Sequence, residues 1–148
     1  MSNTTTLEHS ERFKAYTLSR LLPEGDTLVL DSDQGVLSQM HQGEECMLRE
    51  QQLLSPSEMY VVAALLDNYP DYCPYEVVLS EITGKSVEKC RDAINASFEE
   101  TGTVDPVMRP VRNLLGRCRL KLRPFGIQVR SMVHTGYMLL PAKGGFKG

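Results

Sequence analysis

The chain has 148 residues, 41% hydrophobic, 24% charged and 7% aromatic, with a formal net charge of −3. That apolar share excludes a wholly disordered chain, and the length suits one domain with a tail or an extension. The longest apolar run, Val61 to Leu66, falls far short of the ~20 residues of a membrane span, and the start MSNTTTLEHSERFK lacks an apolar signal core, so a soluble, cytoplasmic protein is expected.

Residues 1–25 are expected to form a helical extension. Leu7 to Leu22 carries apolar residues at 7, 13, 15, 16, 18, 21 and 22, a loosely helical spacing, and Pro23-Glu24-Gly25 stops it. Thr27 to Leu30 reads as a strand, Asp31 to Gly35 as a turn, Val36 to Met40 as the returning strand and Cys46 to Leu54 as a third. Ser55-Pro56-Ser57-Glu58 is a helix start: Ser55 caps, Pro56 suits the first helical position, and Glu58 reaches back to the cap. That helix runs to Asn68-Tyr69-Pro70. A second is expected from about Pro74 to Thr83 with Gly84 as its stop. A third spans Ser86 to Glu100, with Val87, Cys90, Ile94 and Phe98 on one apolar face. Asp105-Pro106 and Pro110 punctuate the chain. A fourth helix follows from about Pro110 to Leu122, where Val111, Leu114, Leu115, Cys118 and Leu122 line a narrow face. Ile127 to Val133 and Tyr137 to Leu140 read as a hairpin turning at His134-Thr135-Gly136, and the final residues 142–148 as a flexible cationic tail.

The net charge hides a split. Residues 1–100 hold seven Lys/Arg against eighteen Asp/Glu, a net of −11, whereas residues 101–148 hold nine against one, a net of +8. From Arg109 to Arg130 there are seven basic residues and no acid. An acidic body with a basic C-terminal third suits a directed positive face for a polyanion. The alternative is a solvated helix paired with acids from the first hundred residues.

Little points to catalysis. Cys46, Cys73, Cys90 and Cys118 contain no Cys-x-x-Cys pair, and His9, His41 and His134 are isolated, so neither a disulfide framework nor a metal site is expected. No phosphate-cradling glycine loop and no Gly-x-Ser-x-Gly motif is present. Cys90 and Cys118 lie on apolar helix faces, as inert core thiols do. Tyr69, Tyr72 and Tyr75 cluster near Pro70 and Pro74, where they suit a helix corner or base stacking. The chain is read as a non-enzyme with no cofactor.

Sheet, helices, basic helix and hairpin follow in an order that resembles the OmpR/PhoB-type winged helix-turn-helix domain, over roughly Asp26 to Leu140. Three motifs carry the likeness. Leu54-Ser55-Pro56-Ser57-Glu58 resembles that family's start of its first helix. Val111, Leu115, Cys118, Arg119, Lys121 and Leu122 resemble its recognition helix. Gly136-Tyr137-Met138-Leu139 resembles the end of its wing. The resemblance implies an α+β fold: a small N-terminal antiparallel sheet, three or more helices and a C-terminal hairpin wing, within a domain at 26–141. It also implies sequence-specific binding of double-stranded DNA by a bacterial or phage transcription regulator. By position, Arg112, Asn113, Gly116, Arg117, Leu120 and Lys121 would face DNA. Arg forks onto guanine edges, Asn pairs with adenine, and an exposed Leu meets a thymine methyl. Arg109, Arg119, Arg123 and Arg130 would meet phosphates, and His134 at the hairpin turn is counted with the DNA-binding residues.

The pattern departs from that family in three places. Val133 and His134 stand where its wing carries Arg-Gly, leaving Arg130 or Lys143 as substitutes. An extra helix, 86–100, enlarges the loop that touches RNA polymerase in the family, so residues 85–105 are a candidate polymerase surface or a packing element. No receiver domain fits before the sheet, so control by aspartyl phosphorylation is not expected. A rival helix-turn-helix over Tyr75 to Glu100 exposes Lys85, Glu88, Lys89, Arg91, Asp92 and Asn95, mixed charges that match a phosphate lattice poorly. An interaction module that binds a polymerase or another regulator without reading DNA is the second functional reading. Homodimerisation stays open.

Overall fold

Alternating burial along the first half of the chain builds a sheet, and 3.6-residue spacing in the second half builds helices against it. The structure, a computed structural model, describes residues 4–6, 12–133 and 135–142. Among these the chain is α+β, with four α-helices and two antiparallel sheets. Strands β1 (Thr4–Thr6), β2 (Phe13–Tyr16), β3 (Asp26–Asp31), β4 (Val36–Gln42) and β5 (Cys46–Leu53) form a five-stranded meander in chain order. On β3, Asp26, Leu28 and Leu30 point inward while Thr27, Val29 and Asp31 alternate with them. Leu28, Leu37 and Tyr16 are fully buried beneath the helices.

The expected N-terminal helix is not formed over 13–16, where the chain is instead strand β2. Phe13 pairs with Asp31 and Tyr16 with Leu28. The Arg12 guanidinium clasps Asp31 by two hydrogen bonds of 2.7 and 2.8 Å. Pairing along a whole neighbouring strand outweighs a loose helical spacing that offers no continuous apolar stripe. Residues 17–22 of the expected helix are likewise not helical but form a loop and turn, and its first part, 7–11, lies outside the described residues.

A polar knot sits at the far end of the same sheet. The Asp26 carboxylate is wholly buried and accepts from Gln39 Nε2 at 2.6 Å. His41 Nδ1 lies 2.6 Å from its other oxygen, Oδ1, and Arg49 Nε lies 3.3 Å from Oδ2, the oxygen that Gln39 also reaches. The register of β4 against β5 slips between Gln39 and Met40, where Arg49 has no strand partner. Such a bulge re-aims a side chain, here an arginine toward a buried anion that needs it.

Helix α1 (Pro56–Asn68) begins with the expected capping box. Ser55 Oγ accepts from the Glu58 N–H at 3.2 Å, and Glu58 Oε1 accepts from the Ser55 N–H at 2.8 Å. Val61, Val62, Leu65 and Leu66 bury one side of it. A two-residue strand, β6 (Cys73–Pro74), precedes helix α2 (Tyr75–Thr83), which ends at Gly84 in the left-handed region. Helix α3 (Val87–Thr101) is capped by Ser86, whose Oγ accepts from the Lys89 N–H. Its expected apolar face is only partly used. Cys90 is buried and Val87 and Ile94 half-buried, but Phe98 is 44% exposed.

Helix α4 (Asp105–Leu122) starts five residues before the expected boundary. Thr103 Oγ1 accepts from the Asp105 N–H at 3.1 Å, and Pro106 occupies the first turn. Pro110 therefore lies inside the helix, where it withholds the N–H that would meet the Pro106 carbonyl. Pro106 is exposed, so water can serve that carbonyl, and the helix continues through it.

The second sheet has the order β6-β8-β7, made of β7 (Ile127–Met132), β8 (Gly136–Pro141) and the short β6. It ties the C-terminal hairpin to the chain between α1 and α2. Gly136 pairs with Pro74, and a side chain there would run into the Cys73 carbonyl, so only glycine fits. Tyr137, next in sequence, is buried with its ring edge toward Tyr75 at 5.2 Å. Tyr75 in turn donates its hydroxyl to the Met132 carbonyl at 3.0 Å. Of the tyrosine cluster, Tyr75 thus packs at the helix–hairpin corner, Tyr69 donates to the Ser19 carbonyl at 2.6 Å, and Tyr72 is exposed. No helix among the described residues is long and apolar enough to cross a membrane.

Candidate nucleic-acid interface

Most of the candidate residues lie on α4, with Arg123 directly after its last residue and Arg130 on β7, and the helix turns them to different sides. Met108, Val111, Leu114, Leu115, Cys118 and Leu122 of α4 are buried against α1 and the hairpin. Cys118 sits among them, and burial pushes its thiol up to about 12, as it does Cys73. Neither is a thiolate at neutral pH, which agrees with a core role. Opposite this stripe lie Arg109, Asn113, Gly116, Leu120 and Arg123, all exposed and spaced at i, i+4, i+7, i+11 and i+14. That spacing keeps them in one line for about 21 Å at 1.5 Å per residue. Arg117 flanks the line and is exposed as well. Leu120 is 63% exposed, so no other described residue covers it.

Three of the candidate cations hold the fold together. Arg112 Nη2 lies 2.5 Å from Asp105 Oδ1, two turns back on the same helix. Its charge also acts on the Tyr137 hydroxyl. Burial raises that phenol to about 12, with Tyr75 adding to the rise, while Arg112 and Arg119 pull against it. Arg119 reaches across to the hairpin and donates to the Val129 carbonyl and to Ser131 Oγ, both at 3.2 Å. Lys121 points toward β5 and α1, donating to the Leu53 carbonyl, with Glu58 Oε1 at 3.6 Å. Glu58 therefore serves the α1 cap and Lys121 at once.

The remaining candidates are unengaged. Among the described residues, Arg109, Arg117, Arg123 and Arg130 have no acidic partner within salt-bridge distance, and Arg130 is exposed on β7. The acid closest in sequence, Asp105, is taken by Arg112. His134 and Lys143 lie outside the described residues. The candidate set thus divides into cations that brace the hairpin and cap, and cations that face solvent. No spacing rule separates the two groups: Arg112 has a partner on α4 itself, but those of Arg119 and Lys121 come from β5, α1 and β7. The alternating strand pattern, which puts Ser131 and Val129 on the same face, was the one available hint for Arg119.

Gly116 is the unexpected member. It lies mid-helix on the exposed line, and a side chain there would meet nothing within 4 Å. Glycine costs a helix interior about 1 kcal/mol relative to alanine. Gly136 is demanded by the fold, but Gly116 is not, so its bare backbone suits something that comes close from outside. No group of three or more His, Cys, Asp or Glu side chains capable of holding a metal occurs among the described residues. The surface therefore offers cations, one amide, one methyl-bearing side chain and an approachable backbone, a set that fits a polyanion with readable edges. Comparison with family models, with curated proteins and with solved structures returned no match for this chain.

Proposed function

We propose that the chain is a winged helix-turn-helix domain that binds double-stranded DNA and reads it with α4. The observation that carries this is the solvent line of α4. Arg109, Asn113, Leu120 and Arg123 alternate around Gly116, with Arg117 alongside and no acid on the line. Arg117 and Asn113 are the base-reading candidates, because a guanidinium forks onto guanine and an amide pairs with adenine. Arg109, Arg123 and Arg130 serve phosphates. The order of elements supports the reading. Helices α1, α2 and α4 are followed by a hairpin that hydrogen-bonds back to β6, and Arg119 fixes that hairpin beside the helix. The acidic N-terminal two thirds would repel DNA and so orient encounter. As a regulator such a domain needs no cofactor, and α3 is an insertion between the second helix and the reading helix.

The test is selection of genomic fragments by the purified full chain, followed by titration of the enriched duplex and a scrambled one at two salt concentrations. A shared motif bound far more tightly than scrambled DNA is the expected result. Neutralising three phosphates with Arg109, Arg123 and Arg130 predicts a log–log salt slope of about −3. Weak, motif-free binding would overturn the reading. A second reading rests on α3, whose outer face exposes Glu88, Arg91, Asp92, Asn95, Glu99 and Glu100. In that reading residues 85–105 dock on RNA polymerase or another regulator, and pull-down through that segment would retain the partner without DNA.

A further inference from the structure

The three helices α2, α3 and α4 do not close fully on one another. Between them lies a half-open cavity of about 390 Å³, within the roughly 300–1,000 Å³ range of small-molecule sites. Its walls are Leu79 of α2, Ala93 of α3, and Val107 and Pro110 of α4, and Cys90 forms its buried floor. The cavity exists because α3 is underpacked. Only Cys90 and Ser97 of its fifteen residues are buried. The kink-prone start of α4, with Pro106 and Pro110, contributes a ring rather than a long side chain to the gap.

The rim gives the cavity a sign. Lys85 and Lys89 line it, and no carboxylate does. Among the described residues neither ammonium has an acid within salt-bridge distance; the nearby ion pair of this region joins Arg91 to Glu76 instead. The α3 N-terminus at Ser86 lies at the same rim, with its partial positive charge. Thr83, the remaining lining polar residue, already donates its hydroxyl to the Leu79 carbonyl at 2.8 Å. Three other cavities differ in that each has a carboxylate in its lining. The one beneath α1 mixes Lys14 with Asp67 and Glu81, the one by the start of β3 includes Glu24 and Asp26, and the one on the outer side of β3 and β4 includes Asp31. Apolar walls with an all-cationic rim select one chemistry. A hydrocarbon or aromatic body fills the gap, and a single anionic head reaches the lysines.

We propose that the α2–α3–α4 cavity binds a small organic monoacid with an apolar body, its carboxylate held by Lys85 and Lys89. The site is independent of the α4 solvent line, and its test needs no DNA. The experiment is an amide-resolved NMR titration of the isotope-labelled full chain with octanoate, and separately with neutral 1-octanol. Saturable shifts at Cys90, Ala93 and Val107 are expected with octanoate. Octanol should bind about tenfold more weakly, since it offers the two ammonium groups no opposite charge. The double variant Lys85→Gln/Lys89→Gln should lose that advantage and leave octanol binding unchanged. Ala93→Phe should fill the gap and abolish both. No saturable shift at millimolar octanoate would overturn the proposal. So would equal binding of the acid and the alcohol, or retention of octanoate by Ala93→Phe with its native amide spectrum.

Discussion

Helices α3 and α4 lie side by side and are of similar length, yet they present opposite balances of burial and charge. The eighteen residues of α4 bury six side chains, and its solvent line is cationic. The fifteen residues of α3 bury two, and its solvent face mixes acids with bases. Burial tells which helix the fold depends on, and sign uniformity tells which surface a polyanion can use. Both point to α4. A helix held rigidly by its core face presents its outer residues with little entropy left to lose, which a reading surface requires. The α3 helix has neither property, and what it adds is a gap beneath it and a face of mixed sign.

The largest expected effect tests the burial half of that contrast. Leu115→Ala should cost about 2–5 kcal/mol, because a buried leucine leaves a cavity, whereas Ile94→Ala on half-buried α3 should cost about 1 kcal/mol. Urea denaturation of the two variants measures this, and equal losses would break the contrast. The charge half comes next. Arg117→Ala and Asn113→Ala should each relax preference at one base pair by about 1–3 kcal/mol without lowering stability. Arg91→Ala on α3, whose guanidinium is paired with Glu76 at 3.0 Å, should leave duplex affinity unchanged. Competition titrations with single-base-pair substitutions check this. If all three variants behave alike, α4 is not the reading helix.

A smaller effect sharpens the role of the bare backbone. Gly116→Ala should raise stability by about 1 kcal/mol, since nothing surrounds the position, and at the same time weaken duplex binding. A stabilised variant with full DNA affinity would remove Gly116 from the interface. The smallest effect lies on the sheet, away from both helices. Arg12 and the backbone N–H groups of residues 33 and 34 hold the Asp31 carboxyl below the usual carboxylate range, the Arg12 hydrogen bond first among them. A group depressed in the folded state contributes stability that is present above its unfolded value, near pH 4, and is lost as pH falls through the lower folded value. Asp31→Asn should therefore flatten the acid limb of the stability–pH profile and leave DNA titrations untouched.

The capping box at Ser55 and Glu58 was legible because both partners lie within four residues, so no tertiary contact is needed to form it. Strands at 26–31 and 36–42 and the core stripe of α4 were legible for the same reason, through turn chemistry and periodicity. The strand at Phe13–Tyr16 was misread as helix. Its apolar residues sit at spacings both structures tolerate, and the choice falls to β3, ten residues downstream. The start of α4 was misplaced because Pro110 looks like a boundary, and only the exposure of Pro106 shows why a proline is tolerated there. The two-residue β6 is too short to leave any periodic signal.

Short-range features were written into the sequence itself: the order of elements after residue 26 apart from the two-residue β6, the α+β class, the cap, the apolar face of α4 and the gathering of positive charge after residue 100. These depend on neighbours within a turn or two, where chain connectivity already fixes which groups meet. The division of labour among the cations was decided by the tertiary structure alone. Arg119 met Val129 and Ser131, Lys121 met Leu53 and Glu58, and Arg112 met Tyr137 as well as Asp105. Arg109, Arg117 and Arg123 differ from them in no local property. They face water because, among the described residues, no acid or carbonyl from a distant segment reaches their side of the helix. A long flexible cation takes whichever partner the packing of other elements brings near, and only the folded arrangement names that partner.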